Sequence, residues 1–305
     1  MTSQSAEHFR LTVLNPGGRD PEQSFHGVPA PAEGAHPPIN FHAFAACTLG
    51  AFHFNPRRAI AEDLPVLLLL RSDFRASERA LYDLKKQGRI VAVSLKETGL
   101  HQIAQQLCDR AKLLRFMKIV AQADGCIATT PEAAEIYQRV RSKCDPATVL
   151  FAPTPYPITG EPVTVVNLDG YKGRRLLDEL RFPKGKLRLI EKWKSYPDYL
   201  RDVAQHKIVL QLDRSHVPGQ VAGDALLCRV ACVGGDGAIE RIAFPKTCGE
   251  GRSITEIAST ALDLLKNLHL RAAIVAESQA RALERLSFQT MRSQLANFFA
   301  SLKQS

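Results

Sequence analysis

The apolar run Lys207–Asp213 gives way to the turn Pro218-Gly219-Gln220, which opens a stretch of helical spacing carrying Asp224. Near the N-terminus, Gly17-Gly18 closes another apolar run, 9–14. A glycine turn between a strand and a helix is suited to anions. The first helix amides point outward unpaired, and a backbone without Cβ atoms lets a ligand come close. Phosphate fits that chemistry. Asp224, one or two turns into its helix, is placed to accept hydrogen bonds from ribose hydroxyls. The plainer alternative is that Gly219 and Gly223 serve a tight turn and close packing, while Asp224 only favours the helix dipole. Read as a site, the 218–220 loop presents amides from Pro218, Gly219 and Gln220 to a nucleotide's phosphates.

Other nucleotide and hydrolase signatures are missing. No G-x-G-x-x-G follows a strand: "NPGGRD" lacks the spacing and "GGDGAIE" fits it loosely. There is no P-loop, no G-x-S-x-G and no H-E-x-x-H. No two aspartates flank a single residue, so a D-x-D metal–phosphate clamp is absent and no metal site is expected. Seven cysteines, at 47, 108, 126, 144, 228, 232 and 248, are scattered. Cys228 and Cys232 have no second pair to complete a zinc site, so free buried thiols in a reducing cytosol are expected.

These residues need a scaffold, and the chain alternates strand and helix patterns. The strand patterns are 9–14, 64–71, 89–95, 125–130 and 148–152. After a Pro-rich hinge near 153–162 come 163–170, 186–193, 207–213 and 231–235. Helical spacing covers 39–52, 76–88, 100–123, 131–142, 171–180, 196–206, 219–230 and 237–242, and then the whole tail 253–303. Thr130-Pro131 reads as an N-cap followed by a first-turn proline. Alternation of this kind predicts parallel sheets. The hinge predicts two Rossmann-like domains, 1–157 and 158–305, with a helical C-terminal tail.

Composition agrees with an ordinary globular chain of 305 residues, 45% hydrophobic and 23% charged. The net charge of +9 is spread out, with no block of like charges to act as a nucleic-acid arm. A diffuse positive field suits nucleotides, phosphates or the surface of an acidic membrane. The first residues lack the apolar core of a signal peptide, and Leu64–Leu70 is too short to span a bilayer. A cytoplasmic protein is the expectation.

The stretch Ser215–Glu240 resembles the signature of GT-B-fold glycosyltransferases of glycosyltransferase group 1 (family 4). That signature has an acid, a glycine, a second acid eight positions after the first, then Ala-Leu and an apolar strand. Asp224-Ala225-Leu226 matches the second acid and its neighbours, and His216 stands where the first acid usually is. "ADGCIATTPEAAEIY" is similar to the last helix entry of the family's N-terminal domain. Lys172-Gly173 matches its Lys-Gly, Gly17-Gly18 its N-terminal glycine loop, and the tail its closing helices. Asn167 stands about where the family carries a phosphate-binding arginine.

The resemblance implies two facing domains, with the last helix (about 289–303) crossing back to the first. It implies metal-independent transfer of a sugar from a nucleotide-diphosphate sugar, with retention, to a glycan, lipid or protein acceptor, and no cofactor. Without a metal, amides and cations must meet the leaving diphosphate's charge. Lys172 is the first choice; Arg214, Lys192 and Lys194 are weaker. His216 is placed for the sugar or a phosphate, and Glu240 either touches the donor sugar or caps its own helix. Glu97 and Thr98 are acceptor-side candidates. Trp193 and Tyr196 read as packing. A non-catalytic nucleotide or sugar-phosphate binder and a sugar-nucleotide epimerase stay open as alternatives.

Overall fold

The computed structural model describes residues 8–26, 38–141, 148–159 and 195–303, together with the backbone of 171–173 and 187–189. The chain divides into two units, Met1–Pro155 with Phe288–Ser305, and Tyr156–Ser287.

The first unit holds β1 (Thr12–Leu14), β2 (Gln23–Ser24), α1 (Phe41–Cys47), β3 (Ala51–His53), α2 (Pro56–Ala61), β4 (Val66–Leu70) and α3 (Arg75–Lys86). It continues with β5 (Val91–Leu95), α4 (Leu100–Leu107), α5 (Arg110–Gln122), β6 (Gly125–Ala128), α6 (Pro131–Val140) and β7 (Val149–Phe151). Its sheet runs β2-β3-β1-β4-β5-β6-β7. Only the short β2 is antiparallel, against β3. The strands β4 and β5 are buried along their whole length, as expected of a parallel sheet covered on both faces. The helix α12 (Phe288–Leu302) joins this unit. Its Met291, Leu295, Phe298 and Phe299 share a core with Phe44 and Phe52, and Arg292 Nε donates to the Cys47 carbonyl at 2.6 Å.

The second unit holds β8 (Tyr171–Gly173), β9 (Leu187–Leu189), α7 (Tyr196–Ala204), β10 (Ile208–Gln211), α8 (Gln220–Leu227), β11 (Ala231–Gly234), α9 (Ala238–Ala243), α10 (Ile254–Lys266) and α11 (Leu268–Arg285). Its sheet is β11-β10-β8-β9, parallel throughout. Val209, Leu210, Ala231 and Val233 pack with Leu226, Ile239, Ile257 and Val275. The protein is thus an α/β chain of two parallel-sheet units with a helical C-terminal region.

Several local expectations need correction. The segment 39–52 is not one helix: α1 stops at Cys47 and β3 begins at Ala51. Between them Gly50 lies so close to the Leu11 backbone that a Cβ there would overlap its carbonyl. This glycine lets β3 lie beside β1. The stretch 100–123 is two helices, because the Asp109 side chain caps a new one by accepting from Lys112 N at 2.9 Å. Residues 171–173 are a strand where a helix was expected. Tyr171 favours strands and Gly173 disfavours helix interiors, so pairing with β10 and β9 wins. The Thr130 cap holds: its Oγ1 accepts from Ala133 N at 3.2 Å. The cysteines are free among the described residues, but not all buried: Cys108 is exposed and Cys228 partly so. No helix among the described residues is long and apolar enough to cross a membrane.

Strand order fixes where ligands can sit. From β1 the chain goes to β3 on one side, then returns across β1 to β4. From β8 it goes to β9, then to β10 on the other side. Each reversal leaves a crevice beyond the carboxyl ends of the two strands, where ligands bind in open α/β sheets.

Candidate functional site

In the second unit the crevice lies past β10, and two loops meet there. The first runs from Leu212 to Gly219. Gly219 has φ +91° and is the N-cap of α8, with no side-chain cap. This is left-handed backbone that glycine adopts at little cost. The second loop follows β11, where Gly234 and Gly235 have φ +81° and +69° and Gly237 caps α9. Backbone bonds stitch the loops together: Ala238 N donates to Val217 O at 2.9 Å and Ile239 N to Pro218 O at 3.2 Å. The α9 amides are therefore occupied. The first amides of α8, from Gln220 onward, have no intrahelical acceptor. Pro218 cannot present an amide, contrary to the expectation, because proline has no N–H; it contributes a carbonyl, already taken by Ile239.

Glu240 stands at the junction. It is 1% exposed, and neither carboxylate oxygen has a hydrogen-bond partner in any other described residue. A Cβ built on Gly219 or Gly237 would overlap Glu240 Oε2, and one on Gly235 would come within 2.9 Å of Oε1. Three glycines thus converge on one buried carboxylate. Burial raises its pKa to about 7, with Asp236 and Asp213 adding to the rise and its own backbone amide offsetting part of it.

The remaining loop residues are engaged locally. His216 adopts φ +47°. Its backbone N–H donates to Asp236 Oδ1 at 3.0 Å, and its Nε2 lies 3.7 Å from Asp236 Oδ2. Ser215 Oγ donates to Asp213 Oδ1 at 2.5 Å. The Arg214 guanidinium donates to the Arg252 carbonyl, so it is occupied there and does not stand free over the helix N-terminus. Lys172 lies in β8, in register with Val209 of β10, and not in the turn after the strand. Asn167, Lys192, Trp193 and Lys194 lie outside the described residues. Among the described residues no cluster of His, Cys, Asp and Glu has the arrangement of a metal site.

Asp224 is the main correction. Its carboxylate does not open to a ribose, because it is 2% exposed. It accepts from the Tyr196 hydroxyl, and the Tyr199 hydroxyl bonds it as well. Burial raises its pKa to about 7 against those two bonds. The reason lies in helix phase: Gly223 faces Tyr156 so closely that a Cβ would overlap its hydroxyl, and that packing turns Asp224 toward α7. Replacing Asp224 with alanine should therefore cost about 2–3 kcal/mol of stability, because two buried hydroxyls lose their acceptor. Nucleotide affinity should change little. Urea melts and calorimetric titration with UDP measure both. Unchanged stability with a tenfold weaker affinity would return Asp224 to the ribose.

In the first unit the crevice lies past β1, β4 and β5. Gly17 has φ +71°, and its carbonyl accepts from Arg71 Nη1 at 3.2 Å. Gly18 packs against the Asn15 side chain. Asn15 Nδ2 and Lys96 Nζ both donate to Asp20 Oδ2, at 2.8 and 3.0 Å. Those bonds and nearby His42 hold the Asp20 pKa below the usual range, although burial alone, the largest single influence, would raise it. Glu97 and Thr98 follow β5 at this edge; Thr98 is 5% exposed, and Glu97 Oε2 has no partner among the described residues. Asn15, Asp20, Arg71 and Lys96 were missed in the sequence. The available signal was position, since each is among the first polar residues past a buried strand.

No family model and no curated protein sequence matches the chain. Among solved structures it is similar to a protein assigned as a UDP-N-acetylglucosamine 2-epimerase from Listeria monocytogenes, at 16% identity over 79% of this chain and 75% of that one, with TM-score 0.44. It is similar to S. aureus MnaA in a structure with UDP, at 11% identity over 94% of each chain, with TM-score 0.39. A third likeness is to the wall teichoic acid polymerase TagF with CDPG, at 10% identity over 99% of this chain and 91% of that one, with TM-score 0.38.

Proposed function

We propose that the second unit binds a nucleotide-diphosphate sugar at the loops past β10 and β11, and that the protein transfers the sugar without a metal. The observation that carries this reading is Glu240, a buried carboxylate that meets only its own backbone amide among the described residues, where Gly219, Gly235 and Gly237 converge. Burying a charge that no other described residue meets is costly. A ligand that offers hydroxyl groups supplies the missing partners. The α8 amides beside Gly219 suit the diphosphate. Sugar hydroxyls donate to Glu240, and His216, held by Asp236, faces the same loop. Lys172 on the neighbouring strand is the cation proposed for the leaving diphosphate. The likeness of Ser215–Glu240 to the glycosyltransferase signature adds the reaction class.

The test is a thermal-shift panel of UDP, GDP, ADP and CMP compounds, followed by nucleotide-sugar hydrolysis with and without EDTA. A cognate nucleotide at 100 times its dissociation constant should stabilise by about 2.7 kcal/mol. Slow release of nucleoside diphosphate that persists in EDTA is the expected result. Activity restored only by Mn²⁺ or Mg²⁺ would overturn the metal-free mechanism. Binding without any release would leave a nucleotide-sugar binding protein.

A further inference from the structure

The first unit carries a second set of unused polar groups, and parallel register puts them in one row. Leu14 pairs with Leu68, Leu70 with Leu95, and Val93 with Cys126. Extending the same register past the strand ends aligns Gly17, Arg71, Lys96 and Thr129 across β1, β4, β5 and β6. Two bonds show that the row persists there: Lys96 N donates to Leu70 O at 2.8 Å, and Arg71 Nη1 reaches Gly17 O at 3.2 Å. Along this edge four buried side-chain atoms have no partner among the described residues: Asn15 Oδ1, Arg71 Nε, Glu97 Oε2 and Thr129 Oγ1. Asn15 and Thr129 are 0% and 2% exposed. Buried polar atoms are seldom left unpaired, so several on one sheet edge need a cause.

The groups are of two kinds. Arg71 Nε is a cationic donor beside the Gly17-Gly18 turn, and Lys96, shared with Asp20, is a second cation in the row. Asn15 Oδ1 and Glu97 Oε2 are acceptors, and the Thr129 hydroxyl serves either way. A bare anion satisfies the first kind only, and a neutral polyol the second only. We infer that this edge binds a hydroxylated molecule bearing one anionic group, such as a polyol phosphate: the anion lies at Arg71 and the glycine turn, and the hydroxyls lie along Asn15, Glu97 and Thr129. The site belongs to the first unit and stands independently of the nucleotide reading.

The probe is sn-glycerol 3-phosphate, titrated by calorimetry into the full chain with UDP present to occupy any phosphate site in the second unit. Inorganic phosphate and glycerol serve as the two half-ligands. Glycerol 3-phosphate should bind more tightly than phosphate, and glycerol should not bind measurably. Arg71→Gln should weaken glycerol 3-phosphate by about 10- to 100-fold, and Thr129→Val by about 3- to 10-fold. Thr129→Val is the discriminating variant. It fills the same volume and removes a hydroxyl with no partner, so its melting temperature should be equal to or above wild type. No binding of glycerol 3-phosphate, or equal affinity in wild type and both variants, would overturn the inference. UDP affinity in the same variants should match wild type, and its failure in all of them would count against the nucleotide site alone.

Discussion

Replacing Glu240 with glutamine should stabilise the protein at pH 8 and weaken nucleotide-sugar binding at the same time. The wild-type carboxyl has its pKa raised from 4.5 to about 7 by burial. A carboxyl raised in the folded state favours folding fully below its unfolded value. That favour is lost as pH climbs from about 4.5 through 7. The loss by pH 8 is on the order of 3 kcal/mol, at about 1.4 kcal/mol for each pH unit. Glutamine carries no charge to bury and should recover about 1–2 kcal/mol of it. Its amide is a poorer acceptor for sugar hydroxyls, so affinity should fall about 10- to 100-fold. Chemical melts at pH 4.5, 6 and 8 with matched calorimetry separate the two effects. A stability gain with unchanged affinity would mean that the ligand lies elsewhere. A stability loss at pH 8 would mean that Glu240 has a partner in the fold.

Asp224 shifts in the same direction for a similar reason, with its pKa raised to about 7 by burial. The two carboxyls differ in what surrounds them. Tyrosine hydroxyls satisfy Asp224, and it belongs to the core; Glu240 meets glycines, and it is the carboxylate proposed for the site. Spacing in the sequence favoured Asp224, because it aligned with the acid of a known signature. Helix phase decided otherwise, and phase depended on Gly223 packing against Tyr156, far away in the chain. The glycine turns, the parallel sheets and the Thr130 cap were legible because each is written in local residue types. The start of β3, the break at Asp109 and the strand at Tyr171 were not. Each depends on one short-range signal, Gly50, Asp109 or Tyr171, inside a stretch whose periodicity pointed the other way. The row Gly17, Arg71, Lys96 and Thr129 could not be read either, because inter-strand register is set by pairing and leaves no mark in a single strand.

Gly219→Ala should damage binding through Glu240 more than through any phosphate. The sequence suggested that a side chain at Gly219 would intrude on the ligand. In the structure a Cβ there meets Glu240 Oε2 first, with the Ile239 Cβ at 3.0 Å and its amide nitrogen at 3.1 Å behind it. The carboxylate is the end of a flexible side chain, so it should swing aside, and the acceptor would be lost to the ligand. A second cost is independent of Glu240. At φ +91° any L side chain is strained, by about 1–2 kcal/mol. Valine, branched at Cβ, should do worse and fray the start of α8. A double-mutant cycle with Glu240→Ala separates the two costs. If the clash with Glu240 is the route, Gly219→Ala should lower nucleotide-sugar affinity about 10- to 100-fold in the wild type and by less than about threefold in the Glu240→Ala background. The strain of about 1–2 kcal/mol should remain in both backgrounds. An equal loss of affinity in the two backgrounds would show that the Gly219 backbone itself touches the ligand, and would move the diphosphate directly onto this turn.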